Sequence, residues 1–155
     1  MEAQRRCAKI AMAPDELNRF LSEQRTCRVA TVASDGAPHV TPLWFVWDGN
    51  SVWLTSIVRS QRWTDLQRDS RIAVVVDAGD GFMELRGAEL TGTASVVGEV
   101  PRTGAPVHEL EMIERLYADK YAGGQIVHDG RHAWLRIVPD KIISWDFRKM
   151  GRASA

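Results

Sequence analysis

One short segment of the sequence collects the residue types that bind an anion. Thr55 and Ser56 end a run of strand-forming residues, and Ser60 and Arg62 follow where the pattern changes to that of a helix. Ser60 is predicted to be the N-cap, so the free N–H groups of the first helical turn would join two hydroxyls and a guanidinium. This combination predicts an anion site, most often one for phosphate. From chemistry alone, an ordinary capped helix with a solvated arginine explains the residues equally well, and Arg62 is expected at the surface.

Strand patterns precede this segment. Residues 28–33 and 39–47 alternate with a period of two and are separated by the turn residues 34–36, and a third strand is predicted over 51–56. The second strand is strongly aromatic and contains Pro42. Because proline cannot donate to a sheet ladder, Pro42 marks an edge, a bulge or a place where a ligand replaces the neighbouring strand.

The rest of the chain also shows the patterns of helices and strands. Helices are expected over 14–23, from Ser60 onward and over 107–121, and further strands over 71–77, 82–97, 131–138 and 141–147. Six or seven strands with two or three helices, joined mostly by hairpins, predict a mainly β protein, a β-barrel with peripheral helices. We expect a flexible N-terminal tail over 1–12, one domain over 13–150 and a C-terminal tail over 151–155.

Composition narrows the class of protein. The 155 residues include 20 Lys+Arg and 20 Asp+Glu, so the formal net charge is zero and nothing draws the protein to nucleic acid or an anionic membrane surface. Cys7 and Cys27 are isolated and are expected to be reduced thiols. The longest apolar run, 72–76, is too short to cross a membrane, and no signal-peptide core follows the N-terminus. The expected location is cytoplasmic.

Other kinds of site receive little support. His128 and His132 stand four apart, but Asp129-Gly130 between them predicts a turn with solvated histidines, and no third metal ligand has suitable spacing. The sequence contains no nucleophile elbow, no dinucleotide or P-loop glycine motif, and no pair of carboxylates suited to acid–base work. We therefore assign no catalytic residue and no metal.

Several segments in order resemble the pyridoxamine 5′-phosphate oxidase-like family, the split-barrel flavin and deazaflavin proteins. They are Arg28–Val32, Asp35–Gly49, Leu66–Asp77, Glu84–Ala94 and Val138–Phe147. The resemblance covers nearly everything after residue 14. It is closest to the small members that use the deazaflavin coenzyme F-420.

This resemblance implies a split β-barrel that forms a homodimer, with two cofactors in the dimer groove. It implies that the cofactor is held by two sets of residues, Thr55, Ser56, Ser60, Gln61 and Arg62 at its phosphate and Val40, Thr41 and Pro42 along its ring. The family commonly has lysine where this chain has Arg62, and the oxidase itself has a second basic residue where this chain has Gln61. Both differences argue against pyridoxamine-phosphate oxidation.

The expected function is therefore hydride transfer between a reduced deazaflavin and a small conjugated acceptor. Such a cofactor carries the redox chemistry in its own ring, so a missing acid–base constellation is no obstacle. FMN is the alternative cofactor, and a non-catalytic cofactor carrier or a haem-handling protein of the same fold are alternative functions. A single cation at Arg62 favours the singly charged phosphodiester of the deazaflavin over the monophosphate of FMN. Arg59, Arg68 and Arg71 are further cations for the anionic tail of the deazaflavin.

Overall fold

A computed structural model describes residues 8–152, so Cys7 and the outer parts of both predicted tails lie outside the described residues. Within this range six strands form, β1 (Thr26–Val32), β2 (Pro38–Trp47), β3 (Val52–Ile57), β4 (Arg71–Ala78), β5 (Arg86–Val97) and β6 (His132–Asp146). Three α-helices accompany them, α1 (Pro14–Glu23), α2 (Gln61–Arg68) and α3 (His108–Tyr121). Short 3-10 turns lie at Ala8–Ile10, Phe82–Glu84 and Phe147–Arg152.

The strands close into a barrel in the order β1-β2-β3-β6-β5-β4, and every neighbouring pair is antiparallel. The chain is thus mainly β, with six barrel strands and three helices in the described range. This confirms the predicted fold class, a split β-barrel with peripheral helices. None of the helices within residues 8–152 is long and apolar enough to cross a membrane.

The prediction of two closing strands, over 131–138 and 141–147, was wrong. A single strand, β6, runs through both, and the irregularity is a bulge in its pairing with β5. Gly92 pairs with Pro139 and Thr91 with Lys141, which leaves Asp140 as the extra residue. A Cβ on Gly92 would lie 2.5 Å from the carbonyl oxygen of Val138, so the close approach requires glycine. Pro139 has no N–H to donate to the ladder. The bulge accommodates it, so the strand continues through the proline.

Two apolar clusters hold the elements together. The barrel interior is filled from the strands, from α1 and from α2, and its fully buried members include Phe20, Leu21, Phe45, Leu54, Leu90, Leu135 and Ile137. On the other face of β2, β3 and β6, Leu110 and Ile113 of α3 pack against Val46, Trp53 and Trp134. Because side chains alternate along a strand, these three strands are covered on both faces here. Helix α3 is thereby held beside the junction of β2 and β3.

Residues 8–12 fall within the predicted N-terminal tail. In the structure they pack on the barrel, because Met12 is buried and its N–H donates to Ser144 Oγ at 3.0 Å. Lys149 Nζ donates to the carbonyl oxygen of Ala11 at 2.7 Å and also contacts Glu16. Both ends of the described chain therefore meet at the same side of the barrel.

Candidate functional site

The barrel opens between β2 and β3. These strands pair at only three positions, from Trp47↔Val52 to Phe45↔Leu54, although β2 extends back to Pro38 and β3 forward to Ile57. A cleft of about 590 Å³ lies where the strands separate. It is lined by Thr26, Pro42, Leu43, Trp44, Thr55, Tyr117 and His132. We call this opening the β2–β3 split.

The open edge of β2 presents backbone groups to the split. In the β1–β2 hairpin the N–H of Ala33 donates to the carbonyl of Ala37, so the odd-numbered residues of β2 bond to β1. The backbone groups of Val40 and Pro42 consequently point the other way, where β3 has diverged. A proline is tolerated here because no ladder bond is lost, and of the three alternatives predicted for Pro42 the pairing excludes a bulge and agrees with an edge. The carbonyls and the Val40 N–H remain available to the edge of a flat ligand.

Helix α2 directs Arg62 between the two separating strands. Ser60 is the N-cap, as predicted, and its Oγ accepts a hydrogen bond from the N–H of Trp63 at 3.2 Å. Arg62 donates from Nε to Ser56 Oγ at 3.3 Å and from Nη1 to Thr41 Oγ1 at 2.7 Å. It therefore bridges β2 and β3 where their ladder has ended.

The expectation that Arg62 lies at the surface was wrong, since its exposed fraction is only 6%. Trp63 and Leu66 anchor α2 in the barrel core, and the first turn of the helix is drawn in with them. Arginine tolerates this position because its guanidinium reaches two hydroxyls. The consequence is a cation held in a largely desolvated place.

The charge of Arg62 has no internal counter-ion in the part of the chain that the structure describes. Burial lowers the pKa of Arg62, and no carboxylate works against that effect. Arginine nevertheless stays protonated in proteins. Its Nη2 bonds to none of the described residues, and since no polar side-chain atom among them is both fully buried and unpartnered, Nη2 is reached by solvent. A nearly buried cation with free N–H donors is the arrangement that binds an anion.

The other predicted site residues differ in where they lie. Thr41 and Ser56 meet at Arg62, and Thr55 and Pro42 line the cleft. Ser60 acts through its cap, and Val40 is 60% exposed on the outside of β2. The structure does not bring the side chain of Gln61 to this group.

Gln61 instead supports a buried carboxylate. Its Nε2 donates to Asp65 Oδ1 at 2.8 Å, and Thr31 Oγ1 donates to Asp65 Oδ2 at 2.9 Å. The hydrogen bond from Gln61, joined by that from Thr31, holds the pKa of Asp65 below its usual value. Gln61 is therefore engaged within α2 and adds no charge to the split.

Not all of the arginines predicted around the site have a free charge. Arg71 is bonded to Asp69 through Nε at 2.9 Å and Nη2 at 2.6 Å, so its charge is balanced locally. Arg68 donates to the carbonyl of Val32. Arg59 is exposed and forms no ion pair with the described residues. Of the three arginines predicted to bind an anionic tail, Arg71 is therefore the one whose charge is already paired.

Tyrosines from α3 form the outer rim of the split, and the sequence patterns did not identify them. The Tyr121 hydroxyl lies 2.8 Å from the carbonyl oxygen of Phe45 and accepts its N–H at 3.2 Å. Its ring stacks on Trp44 with centroids 4.5 Å apart. Burial raises the pKa of Tyr121 to about 12, so the hydroxyl keeps its proton. The only sequence signal was the helical spacing of Tyr117 and Tyr121, and that spacing is equally typical of a helix face that packs in the core.

The turn predicted between His128 and His132 is present, but both histidines are only partly exposed and each pairs with a carboxylate. His128 Nε2 lies 3.2 Å from Glu114 Oε1, and His132 Nδ1 lies 2.6 Å from Asp129 Oδ2. The turn at Asp129-Gly130 folds the carboxylate back onto the start of β6, which brings His132 to the cleft. Among residues 8–152 no group of three His, Cys, Asp or Glu side chains is arranged to hold a metal.

Comparison with known proteins identifies a family and structures that share this fold. Residues 13–146 match the family model described as pyridoxamine 5′-phosphate oxidase. No curated protein matches the sequence. The crystal structure of a conserved hypothetical protein from Mycobacterium tuberculosis is 31% identical, with a TM-score of 0.80 over 97% of this chain and 93% of that one.

Two further solved structures share the fold at low identity. An F420 reductase is 22% identical, with a TM-score of 0.60 over 81% of this chain and 94% of that one. The haem storage protein HutZ from Vibrio cholerae is 13% identical, with a TM-score of 0.66 over 84% of this chain and 93% of that one. At these identities the likeness concerns the fold alone.

Proposed function

The chain belongs to the pyridoxamine 5′-phosphate oxidase family, and on that premise we propose that it is an oxidoreductase that binds the deazaflavin coenzyme F-420 in the β2–β3 split. Its reaction is hydride transfer to a small conjugated acceptor. The observation that supports this most directly is Arg62, a buried cation with no internal counter-ion among the described residues, which lies between β2 and β3 where their ladder has ended. A protein retains such a charge at a cost in stability, and a bound anion offsets that cost.

The residues present fit a phosphate-bearing ring cofactor. Arg62, with the Thr41 and Ser56 hydroxyls it already orders and the N-terminus of α2, would hold the phosphate. The free β2 edge at Val40 and Pro42 would bond to the edge of the ring system. When bound, the ring supplies the hydride chemistry, and the protein binds, orients and shields it.

The charge count favours the deazaflavin over FMN. Among the described residues, Arg62 is the buried cation that bridges β2 and β3, and Gln61, its neighbour, is neutral and engaged with Asp65. One positive charge matches a phosphodiester better than a dianionic monophosphate. Because Arg71 is paired with Asp69, the anionic tail of the deazaflavin would rely mainly on Arg59.

The decisive experiment is a titration of the purified protein with the deazaflavin and with FMN at low and high salt. We expect tighter binding of the deazaflavin, with an affinity that falls moderately as salt screens the exposed tail contacts. Purification with stoichiometric FMN that survives dialysis, together with no measurable deazaflavin binding, would overturn the cofactor assignment.

Turnover separates the enzyme from the alternatives. The reduced deazaflavin bound to the protein should be oxidised by a conjugated acceptor faster than in solution. Tight binding with no acceleration would make the protein a carrier. A Soret band on addition of haem, with saturable binding, would support a haem-handling function instead.

We also propose that the protein is a homodimer. Val40 is 60% exposed and Trp44 48% exposed, both on the outer face of β2 beside the cleft. A second copy would cover them and complete the walls of the site. The interface should bury more than ~1,000 Å². Sedimentation at micromolar concentration should give a dimer, and a monomer would contradict the proposal.

A further inference from the structure

A second, smaller cavity adjoins the β2–β3 split. Its volume is about 160 Å³, and it lies between α3, the loop that follows it and the start of β6. Its polar lining comes chiefly from Arg102, Tyr117, His128, Asp129 and His132. Thr55, Tyr117 and His132 also line the cleft of the split, so the two spaces are adjacent. A molecule in the small cavity would lie next to whatever occupies the split.

His132 is held in a single orientation at this junction. The Asp129 carboxylate accepts the N–H groups of Arg131 at 2.9 Å and of His132 at 3.1 Å, and lies 2.6 Å from His132 Nδ1. The backbone hydrogen bond from Arg131 is the main cause that keeps the pKa of Asp129 below its usual value. A carboxylate can only accept here, so His132 Nδ1 must carry a proton.

The other ring nitrogen of His132 is unengaged. No hydrogen bond joins Nε2 to any residue in the described range, and Nε2 is not a fully buried, unpartnered atom. His132 is 37% exposed at its side chain and lines both cavities. Nε2 is therefore accessible from the space where two ligands could meet.

The remaining titratable groups of the small cavity are committed elsewhere. Arg102 is bonded to Glu99 and Glu114, and His128 also to Glu114. Tyr117 packs its ring edge-on against Trp134, with centroids 5.5 Å apart, and its hydroxyl is the one competing donor. Each of these groups faces His132 from α3 or from the loops beside it.

We propose that the small cavity is the acceptor subsite and that His132 is the proton donor of the reduction, with Asp129 as its positioning residue. This rests on the proposed function. The acceptor gains a hydride, with both electrons, from the reduced cofactor at one end of its conjugated double bond. It gains a proton from Nε2 of the His132 imidazolium at the other end, and the neutral imidazole left behind, which keeps its Nδ1–H on Asp129, is reprotonated at Nε2 by solvent. The volume restricts the subsite to a small acceptor or the reacting end of a larger one.

The test compares the wild type with His132→Gln, with His132→Asn as a second variant in case the first does not fold. The deazaflavin dissociation constant is measured for each variant, so that a change in cofactor binding is separated from a change in the chemical step. Single-turnover oxidation of the reduced deazaflavin by cyclohexenone or menadione should slow by ~10²- to ~10⁴-fold, the range for a lost general acid. His108→Gln is the matched control, because His108 pairs with Glu111 in the same i,i+3 arrangement but is fully exposed on α3.

A readout without cofactor tests Asp129. Side-chain ¹⁵N NMR of the cofactor-free protein should show the Nδ1–H tautomer of neutral His132, and Asp129→Asn should abolish that preference. Rates within twofold of wild type in both His132 variants would overturn the inference, as would an Nε2–H tautomer or a loss seen only in Tyr117→Phe. Deazaflavin binding without reduction of either acceptor would contradict it too. A wild type that binds neither deazaflavin nor FMN would instead refute the proposed function itself.

Discussion

Two arginines in this barrel are buried to the same extent and serve opposite purposes. Arg62 and Arg102 are each 6% exposed. Arg102 donates to Glu114 from Nε at 2.7 Å and from Nη2 at 3.2 Å, and its Nη1 reaches Glu99 and the Ala105 carbonyl. Among residues 8–152, the only partners of the Arg62 guanidinium are the hydroxyls of Thr41 and Ser56. Within this range the fold neutralises the charge of Arg102 and leaves that of Arg62 without a carboxylate.

The titration of the two groups reflects this difference. The hydrogen bonds that Arg102 donates to the Glu114 carboxylate raise the pKa of Arg102, whereas burial lowers the pKa of Arg62. A charge taken out of water without a partner destabilises the folded state. The two arginines are equally buried but differ in charge pairing, which predicts a structural role for Arg102 and a binding role for Arg62. Four measurements can separate these two roles.

The largest effect is expected from Arg102→Met. The substitution leaves Glu114 partly buried without its cation, so the free energy of unfolding should fall by about 3 kcal/mol. Urea denaturation measures the loss. Arg136→Met is the control, since Arg136 forms a more exposed pair with Glu109 at 3.5 Å and should cost less than about 1 kcal/mol. Equal losses of unfolding free energy in the two variants would contradict a structural role for Arg102 greater than that of an exposed ion pair.

Arg62→Ala should act on ligand affinity. The lost charge-assisted hydrogen bonds should weaken deazaflavin binding by about 1.5–3 kcal/mol, or ~10- to ~150-fold. Fluorescence titration gives the dissociation constant. Arg19→Ala, at an exposed position on α1, should leave it unchanged. An unaltered constant in Arg62→Ala would exclude Arg62 from the site.

A smaller effect, of the opposite sign, is expected from Arg62→Met on the free protein. An apolar side chain of similar length removes an uncompensated buried charge, so the cofactor-free protein should be equally stable or more stable by up to about 1 kcal/mol. Thermal and urea unfolding should agree. A marked loss of stability would show that Arg62 supports the fold as Arg102 does.

The smallest expected effect is a pH dependence confined to the Arg102 cluster. Burial works to raise the pKa of Glu114, but hydrogen bonds from Arg102, His128 and Trp134 outweigh it and keep the pKa below the ordinary 4.5. A carboxyl with a lowered folded-state pKa stabilises the protein above pH 4.5 and loses that contribution as the pH falls through its folded-state pKa.

Glu114→Gln should therefore be less stable than wild type at pH 7, and the gap should narrow as the pH falls from 5 to 3. Arg62→Met should show no such narrowing, because Arg62 has no carboxylate partner in the described range. A constant gap for Glu114→Gln across this pH range would contradict the assignment.

Much of the fold was predictable because its signals are local. The N-cap of Ser60 depends on one hydrogen bond to Trp63, three residues away, and the hairpin after β1 on the turn at 34–36. The position of Pro42 at an edge follows from its missing N–H. The single strand β6 was missed because continuity through Pro139 depends on a bulge opposite Gly92, which is far away in sequence.

The sequence by itself determined the strand and helix pattern, the family and the residue types gathered near α2, since these depend on neighbours within a few positions. The tertiary structure decided where the β2–β3 ladder stops, that Arg62 lies inside, and that His132 lines the cleft. It also decided that Arg102 pairs with Glu114, whereas Arg62 pairs with no carboxylate in the part of the chain that the structure describes. Burial and charge pairing depend on which distant groups meet in space, and no local pattern carries that information.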